Sequence, residues 1–256
     1  MESGNTAVFE RIMDTIVQKK GITKMFLDYD GTLVDLTSQP EFAVPGEELL
    51  SLLRRLKVVV PLYIVTGRDL EGIISLVGAG FNIIAMHGSQ FISEEGNRWN
   101  IENFDYYRSR TKVLRERYLH LEKQYPGLRI IDKGGGLQFH YYNVRKSVLS
   151  ELEQTISKVS EEGFEMYSGK YVFELRVRGV NKGSAIRRFM STKDFILFSG
   201  DDRTDEEAFN MLQGHITIKV GEGETSAMFR VDSPANMKRL LSDMLEEPEI
   251  VFRKGK

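Results

Sequence analysis

Lys24-Met25-Phe26-Leu27-Asp28-Tyr29-Asp30-Gly31-Thr32-Leu33 is the stretch on which the fold turns. Its first half is a short apolar run without alternation, the character of a strand buried on both faces. Two aspartates two residues apart then follow at the carboxyl end of that strand, the edge where doubly wound sheets bind ligands. Gly31 permits a sharp bend, so Asp28 and Asp30 can surround one cation with no helix between them. An Asx turn that merely closes a strand reads the same residues, and both readings stand at this point.

Before this run, Phe9, Ile12, Met13, Ile16 and Val17 recur at helical spacing and end at Lys19, Lys20 and Gly21, an amphipathic helix with a stop. After it, similar apolar runs recur at Val58 to Val65, Asn82 to Met86, Asp194 to Ser199 and His215 to Val220. Helical patterns lie between several of them: Leu49, Leu50, Leu52, Leu53 and Leu56; Ala185, Ile186 and Phe189; Ala208, Phe209 and Leu212. Apolar strands alternating with amphipathic helices predict a doubly wound α/β core around a parallel sheet. The middle breaks this rhythm. Helices around 113–125 and 148–159 are flanked by strands at Leu128 to Asp132, Gly136 to Tyr142, Phe164 to Ser168 and Tyr171 to Arg178, with the aromatic and β-branched content of antiparallel pairs. The expected organisation is a core of residues 1–102 and 179–256 interrupted by an α+β domain at 103–178.

The chain has 256 residues, 41% hydrophobic and 28% charged, which suits a globular protein with a real core. Thirty-five Lys plus Arg oppose 37 Asp plus Glu, so any anion site must be local, and nucleic acid and membrane are not expected partners. The basic run Arg108, Arg110, Lys112, Arg115 and Arg117 is diluted by Asp105, Glu116 and Glu122 and reads as a solvated helix face. Absence of cysteine excludes disulfides, thiolate nucleophiles and cysteine-zinc sites, and the 4 histidines show no metal spacing. Met1 to Gly21 carries Glu2, Glu10 and Asp14 and no apolar block, so a cytoplasmic location is the expectation.

Three further segments carry chemistry. Thr66-Gly67-Arg68 ends an apolar run, and the Thr66 hydroxyl with the backbone amides after it offers neutral donors to a phosphate oxygen. A helix N-cap would look alike. Asn181-Lys182-Gly183-Ser184 opens a helical pattern and puts an ammonium where an anion is favoured, although most lysines are solvated surface charges. Gly200-Asp201-Asp202-Arg203-Thr204-Asp205 again follows an apolar strand; Asp205 read alone is a helix cap, while the oxygen-rich, histidine-poor set around Asp201 and Asp202 is what Mg²⁺ takes.

In this order, DYDGT, VTGR, the Lys182 region and GDDRTD resemble the four motifs of the haloacid dehalogenase superfamily of phosphotransferases and phosphatases, and the resemblance spans the core. It implies Asp28 as nucleophile, Asp30 as general acid and base, and Thr66 and Lys182 as holders of the phosphate oxygens, with Gly67 and Arg68 beside them. It also implies Mg²⁺ held by Asp28, the Asp30 carbonyl and Asp201, with Asp202 and Asp205 in support. The insertion then occupies the C2-type cap position, where caps select the leaving group.

Within the insertion, Gly169-Lys170 through Glu174-Leu175-Arg176, leading to Asn181-Lys182-Gly183, is similar to the GKxxxELR and NKG pattern of the trehalose-6-phosphate phosphatase family. His87-Gly88, Asp132-Lys133, Gln138 to Tyr141 and Val220 to Thr225 also fit. The resemblance implies hydrolysis of trehalose 6-phosphate to trehalose and phosphate through an aspartyl-phosphate, with Lys133, Lys170 and Glu174 on the phosphorylated disaccharide. His87 is either a substrate-side residue or a structural one at the rim. Ile131 and Tyr142 depart from the pattern, where an acid and an arginine are usual. Open alternatives are a phosphatase for sucrose phosphate or mannosyl-3-phosphoglycerate, and a silent sugar-phosphate sensor or regulatory subunit. The resemblance also leaves open a monomer or a chain functionally paired with a trehalose-phosphate synthase.

Overall fold

The computed structural model describes residues 2–37, 43–169 and 171–253. They divide into two compact units, Met1–Trp99 with Asn181–Lys256, and the inserted Asn100–Val180. In chain order the first unit supplies β1 (Lys24–Asp28), β2 (Leu62–Val65), β3 (Asn82–Ala85), β4 (Gln90–Ile92) and most of β5 (Arg98–Asn100), whose last residue opens the inserted unit. The inserted unit supplies β6 (Arg129–Asp132), β7 (Leu137–His140), β8 (Phe164–Gly169) and β9 (Val172–Val177). β10 (Ile196–Gly200), β11 (Ile216–Val220) and β12 (Phe229–Val231) return to the first unit.

Among the described residues these form an eight-stranded sheet, ordered β12-β11-β10-β1-β2-β3-β4-β5. Pairing is parallel from β12 to β3 and turns antiparallel between β3 and β4. β1 lies inside the sheet, and its side chains go alternately to two apolar layers. Met25 and Leu27 join the cluster built with the helices Glu47–Val59 and Pro234–Met244. Phe26 faces the other way, its ring stacked on Tyr63 at 4.7 Å, with Phe189 beyond. This double coverage is why the strand reads as continuously apolar.

The inserted unit is a four-stranded antiparallel sheet, β6-β7-β9-β8. Leu137, Phe139 and Leu175 are buried, and the helix Phe104–Tyr118 packs on β6 and β7. The arginines of that helix are engaged locally: Arg108 with Asp105, Arg110 and Arg117 with Glu161, and Arg115 with the Ile130 carbonyl.

Two sequence expectations are corrected. Val58 and Val59 belong to the helix Glu47–Val59, not to a strand, because Pro61 delays the extended run until Leu62 and Val58 lies on the exposed helix face. The three-residue strands β4, β5 and β12, too short to show a period, were not expected. Among the described residues no helix is long and apolar enough to cross a membrane.

Candidate active site

Parallel pairing brings the ends of β1, β2 and β10 to one edge of the sheet. Asp28 closes β1 and pairs with Val65, so Thr66 follows immediately beside it. On the other flank Leu27 pairs with Ser199, which puts Gly200 and Asp201 at the same edge. Tyr29, between the two acids of the first motif, is fully buried and donates to the Ala43 carbonyl at 2.8 Å.

The Lys182 ammonium is the hub. It donates to Asp28 Oδ1 at 2.6 Å and to Asp205 Oδ1 at 2.8 Å, and all three residues are buried. Thr32 Oγ1 donates to Asp28 Oδ2 at 2.9 Å. These contacts favour the site over the bland readings of Asp28 as a turn former and Lys182 as a surface charge. Local chain chemistry sets the geometry: Asn181 caps the helix Lys182–Arg188 by accepting from Ser184 N, so Lys182 occupies its first turn.

The acidic loop is organised by a second capping box. Asp202, not Asp205, is the N-cap of the helix Arg203–Met211, and its Oδ1 accepts from Thr204 N, Thr204 Oγ1 and Asp205 N. Asp205 answers with Oδ2, which accepts from Asp201 N and Asp202 N at 3.0 and 3.1 Å, leaving Oδ1 for Lys182. Likewise Thr66 is no helix cap. Its Oγ1 accepts from Arg68 N, and the following helix Leu70–Val77 is capped by Asp69.

Burial pushes Asp28 up to about 8, with Asp201 and Asp202 adding to the rise and Lys182 opposing it. Burial likewise raises Asp201 to about 7, assisted by Asp202 and Asp205. Burial would raise Asp202 too, but Lys182 and the bonds from Thr204 and Asp205 hold it down at about 2. Lys182 is firmly charged: burial opposes the proton, and Asp205 and Asp28 outweigh burial. The cluster sets Asp28, Asp201, Asp202 and Asp205 against the ammonium groups of Lys182 and Lys219, so burial and mutual repulsion bias Asp28 and Asp201 toward their protonated forms, a bias that a further cation would reverse.

A magnesium ion fits this donor set. Asp28, Asp201 and Asp205 each present an oxygen within 4.8 Å of the others, and all are the hard ligands Mg²⁺ prefers. Gly31 (φ +76°) makes the space: a Cβ there would lie 2.1 Å from Asp201 Oδ2.

Asp30 is placed differently. Its two oxygens accept from Arg68 Nε at 2.8 Å and from the second guanidinium arm at 2.6 Å, and the guanidinium lies 5.5 Å from the Tyr29 ring centre. Arg68 thus holds Asp30. His87 is buried against Gly67. Lys133 and Glu174 belong to the inserted unit, where both act on His140: burial lowers its pKa, Lys133 lowers it further and Glu174 opposes. Lys170 lies outside the described residues.

Two residues escaped the sequence reading. Thr32 sits inside the DYDGT run itself. Lys219, on β11, is buried, donates to the Asp201 carbonyl and lies 4.0 Å from Glu206 Oε1. Its signal was available, since a lysine between Ile218 and Val220 in an apolar strand must have a partner.

A largely parallel sheet with this edge, an acid closing β1 with a second two residues on, and an inserted domain define a haloacid dehalogenase-like fold. The trehalose-phosphatase family profile matches residues 26–238. The chain belongs to that family and is a phosphatase. It is 38% identical over 226 residues to a trehalose-6-phosphate phosphatase-related protein of Thermoplasma acidophilum, covering 85% of this chain and 94% of that one. It is 32% identical to a bifunctional trehalose-6-phosphate synthase/phosphatase of Thermoproteus tenax, covering 86% of this chain but 31% of that protein. Among solved structures, a trehalose-6-phosphate phosphatase related protein superposes with a TM-score of 0.80 at 36% identity, covering 88% of this chain and 97% of the other.

Proposed function

We propose that the chain hydrolyses trehalose 6-phosphate to trehalose and phosphate, with Asp28 as the nucleophile. The observation that carries this is the Asp28 carboxylate, buried between the Lys182 ammonium at 2.6 Å and two further acids within 4.8 Å. An Asp28 oxygen attacks phosphorus, and the bond from phosphorus to the sugar oxygen breaks. The sugar oxygen leaves with the electron pair and takes a proton from Asp30. Asp30 must release at least one of the two hydrogen bonds it accepts from Arg68 to carry that proton. In the second step Asp30 takes a proton from water, whose oxygen attacks phosphorus and frees Asp28.

Lys182 and Thr66, with the Gly67 amide, hold the non-bridging oxygens, and the Arg68 amide joins them by giving up its bond to Thr66 Oγ1. Asp28, the Asp30 carbonyl and Asp201, with Asp202 and Asp205 in support, would hold a magnesium ion, which would supply the charge that offsets repulsion between a carboxylate and a phosphate dianion. Lys133, Lys170 and Glu174 are assigned to the sugar. A charged group bonded to sugar hydroxyls discriminates because a wrong substrate leaves it unpaired. The name of the T. tenax relative, a bifunctional synthase/phosphatase, supports a functional pairing with a trehalose-phosphate synthase, in a cytoplasmic setting.

The test is phosphate release with and without Mg²⁺ from trehalose, sucrose and glucose phosphates and mannosyl-3-phosphoglycerate. Trehalose 6-phosphate turned over fastest, and only with the metal, is the expected result. Equal rates on all four would remove the substrate assignment and leave the phosphatase.

A further inference from the structure

Between β3 and β4 the chain makes a turn that the proposed chemistry does not use. Met86, His87 and Gly88 have φ of +48°, +55° and +114°, three left-handed residues in succession. Side chains rarely adopt this region, so the surroundings must impose it.

Those surroundings are two phosphate-holding segments. On one side the turn is stitched to the second motif: Met86 N donates to the Arg68 carbonyl at 2.8 Å and His87 N to the Thr66 carbonyl at 3.0 Å. The buried His87 ring lies flush on Gly67, where an added Cβ would fall 2.6 Å from Cε1 and 2.7 Å from Nε2. On the other side Gly88 abuts the helix that carries Lys182, where an added Cβ would fall 2.4 Å from Ala185 Cβ. Any outward shift of this turn moves the Thr66 hydroxyl and the Lys182 ammonium relative to each other.

We propose that His87 is a positioning residue that acts through Gly67, fixing the Thr66–Arg68 turn against the Lys182 helix so that both meet one phosphate. This rests on the reading of Thr66 and Lys182 as phosphate ligands. It predicts that Gly67 and His87 are a matched pair, glycine being required because the imidazole fills the space a side chain would take.

The experiment is a double-mutant cycle of His87→Asn and Gly67→Ala in the full chain. Asparagine tolerates the left-handed backbone but lacks the ring. The probe is inorganic phosphate with Mg²⁺, its dissociation constant read from thermal stabilisation, beside the melting temperature without phosphate and kcat and KM for trehalose 6-phosphate. Each single change is expected to weaken phosphate about tenfold, the scale of one misaligned bond to a charged group, through KM more than kcat. In the His87→Asn background, Gly67→Ala should add less than about twofold, because the space is then open. Wild-type phosphate affinity in His87→Asn overturns the proposal, and so do two losses that simply multiply. Should His87→Asn not fold, Gly67→Ala alone decides: unchanged phosphate binding overturns it. A wild type that ignores trehalose 6-phosphate yet binds phosphate removes the substrate assignment and leaves this test intact.

Discussion

The acidic edge of the core and the polar face of the cap sheet are built on opposite terms. In the core, Lys182, Asp28 and Asp205 are buried and bonded to one another, and Asp202 is spent on a helix cap. In the cap, Gln138, Glu174 and Tyr167 lie in cross-strand register on β7, β9 and β8. Gln138 shares a bond with His140 at 3.0 Å, and Arg176 reaches Glu165 at 3.0 Å with its guanidinium over Tyr167. Nearby positions are exposed, with Ile131 at 40% and Tyr142 at 68%. Changing one core group strands another buried charge, whereas the exposed positions Ile131 and Tyr142 can change at little cost to their neighbours, although Glu174, Tyr167 and Arg176 beside them are buried. Under the proposed function, the chemistry would sit on the tightly bonded core network and the substrate contacts on the inserted unit.

The contrast is most sharply broken by Asp28→Asn. Phosphate release should fall by about 10⁴-fold or more, the loss typical of a nucleophile, with the fold retained. Next in size, Lys182→Met leaves Asp28 and Asp205 without their shared cation and should cost about 3–5 kcal/mol in a denaturant titration. An unchanged midpoint would show that the buried network does not hold the core together. In the cap, Glu174→Gln should raise KM for the sugar phosphate about tenfold and leave an aryl phosphate unaffected, since only the sugar loses a partner. Equal effects on both substrates would place Glu174 in the chemistry instead.

A subtler effect concerns pH. Asp28 and Asp201 are raised from 3.8 to about 8 and about 7, so the folded protein keeps protons that the unfolded chain has released. The stability they contribute is fully present below 3.8 and is lost as pH rises through about 7 and 8. With a chelator the melting temperature should therefore fall across this window, and Mg²⁺ should flatten the fall; a rise would contradict the proton-holding cluster. Smallest of all, Ser199 is buried on β10 and its hydroxyl has no partner among the described residues, so Ser199→Ala should raise stability by up to about 1 kcal/mol.

The same contrast explains what could be read in the sequence. Asp28, Thr66, Lys182 and Asp201 follow parallel strands or open helices, and a doubly wound sheet brings such points to one edge wherever they fall in the chain. The covering helices and the antiparallel cap strands were legible for the same reason, as full periods. What escaped depends on side-chain direction. Nothing local says that Arg68 grips Asp30, that Asp202 rather than Asp205 caps the helix, or that Lys219 reaches the Asp201 carbonyl. β4, β5 and β12 are too short to carry a signal.

The most direct measurement is a chemical trap of the covalent step. Enzyme turning over trehalose 6-phosphate with Mg²⁺ is quenched with borohydride, which reduces an acyl phosphate to an alcohol, and the peptide bearing residue 28 is sequenced by mass spectrometry. Homoserine at position 28, formed only in the presence of substrate, is expected. Continued hydrolysis with an unmodified Asp28, or with the alcohol at another acid, would contradict its assignment as the nucleophile.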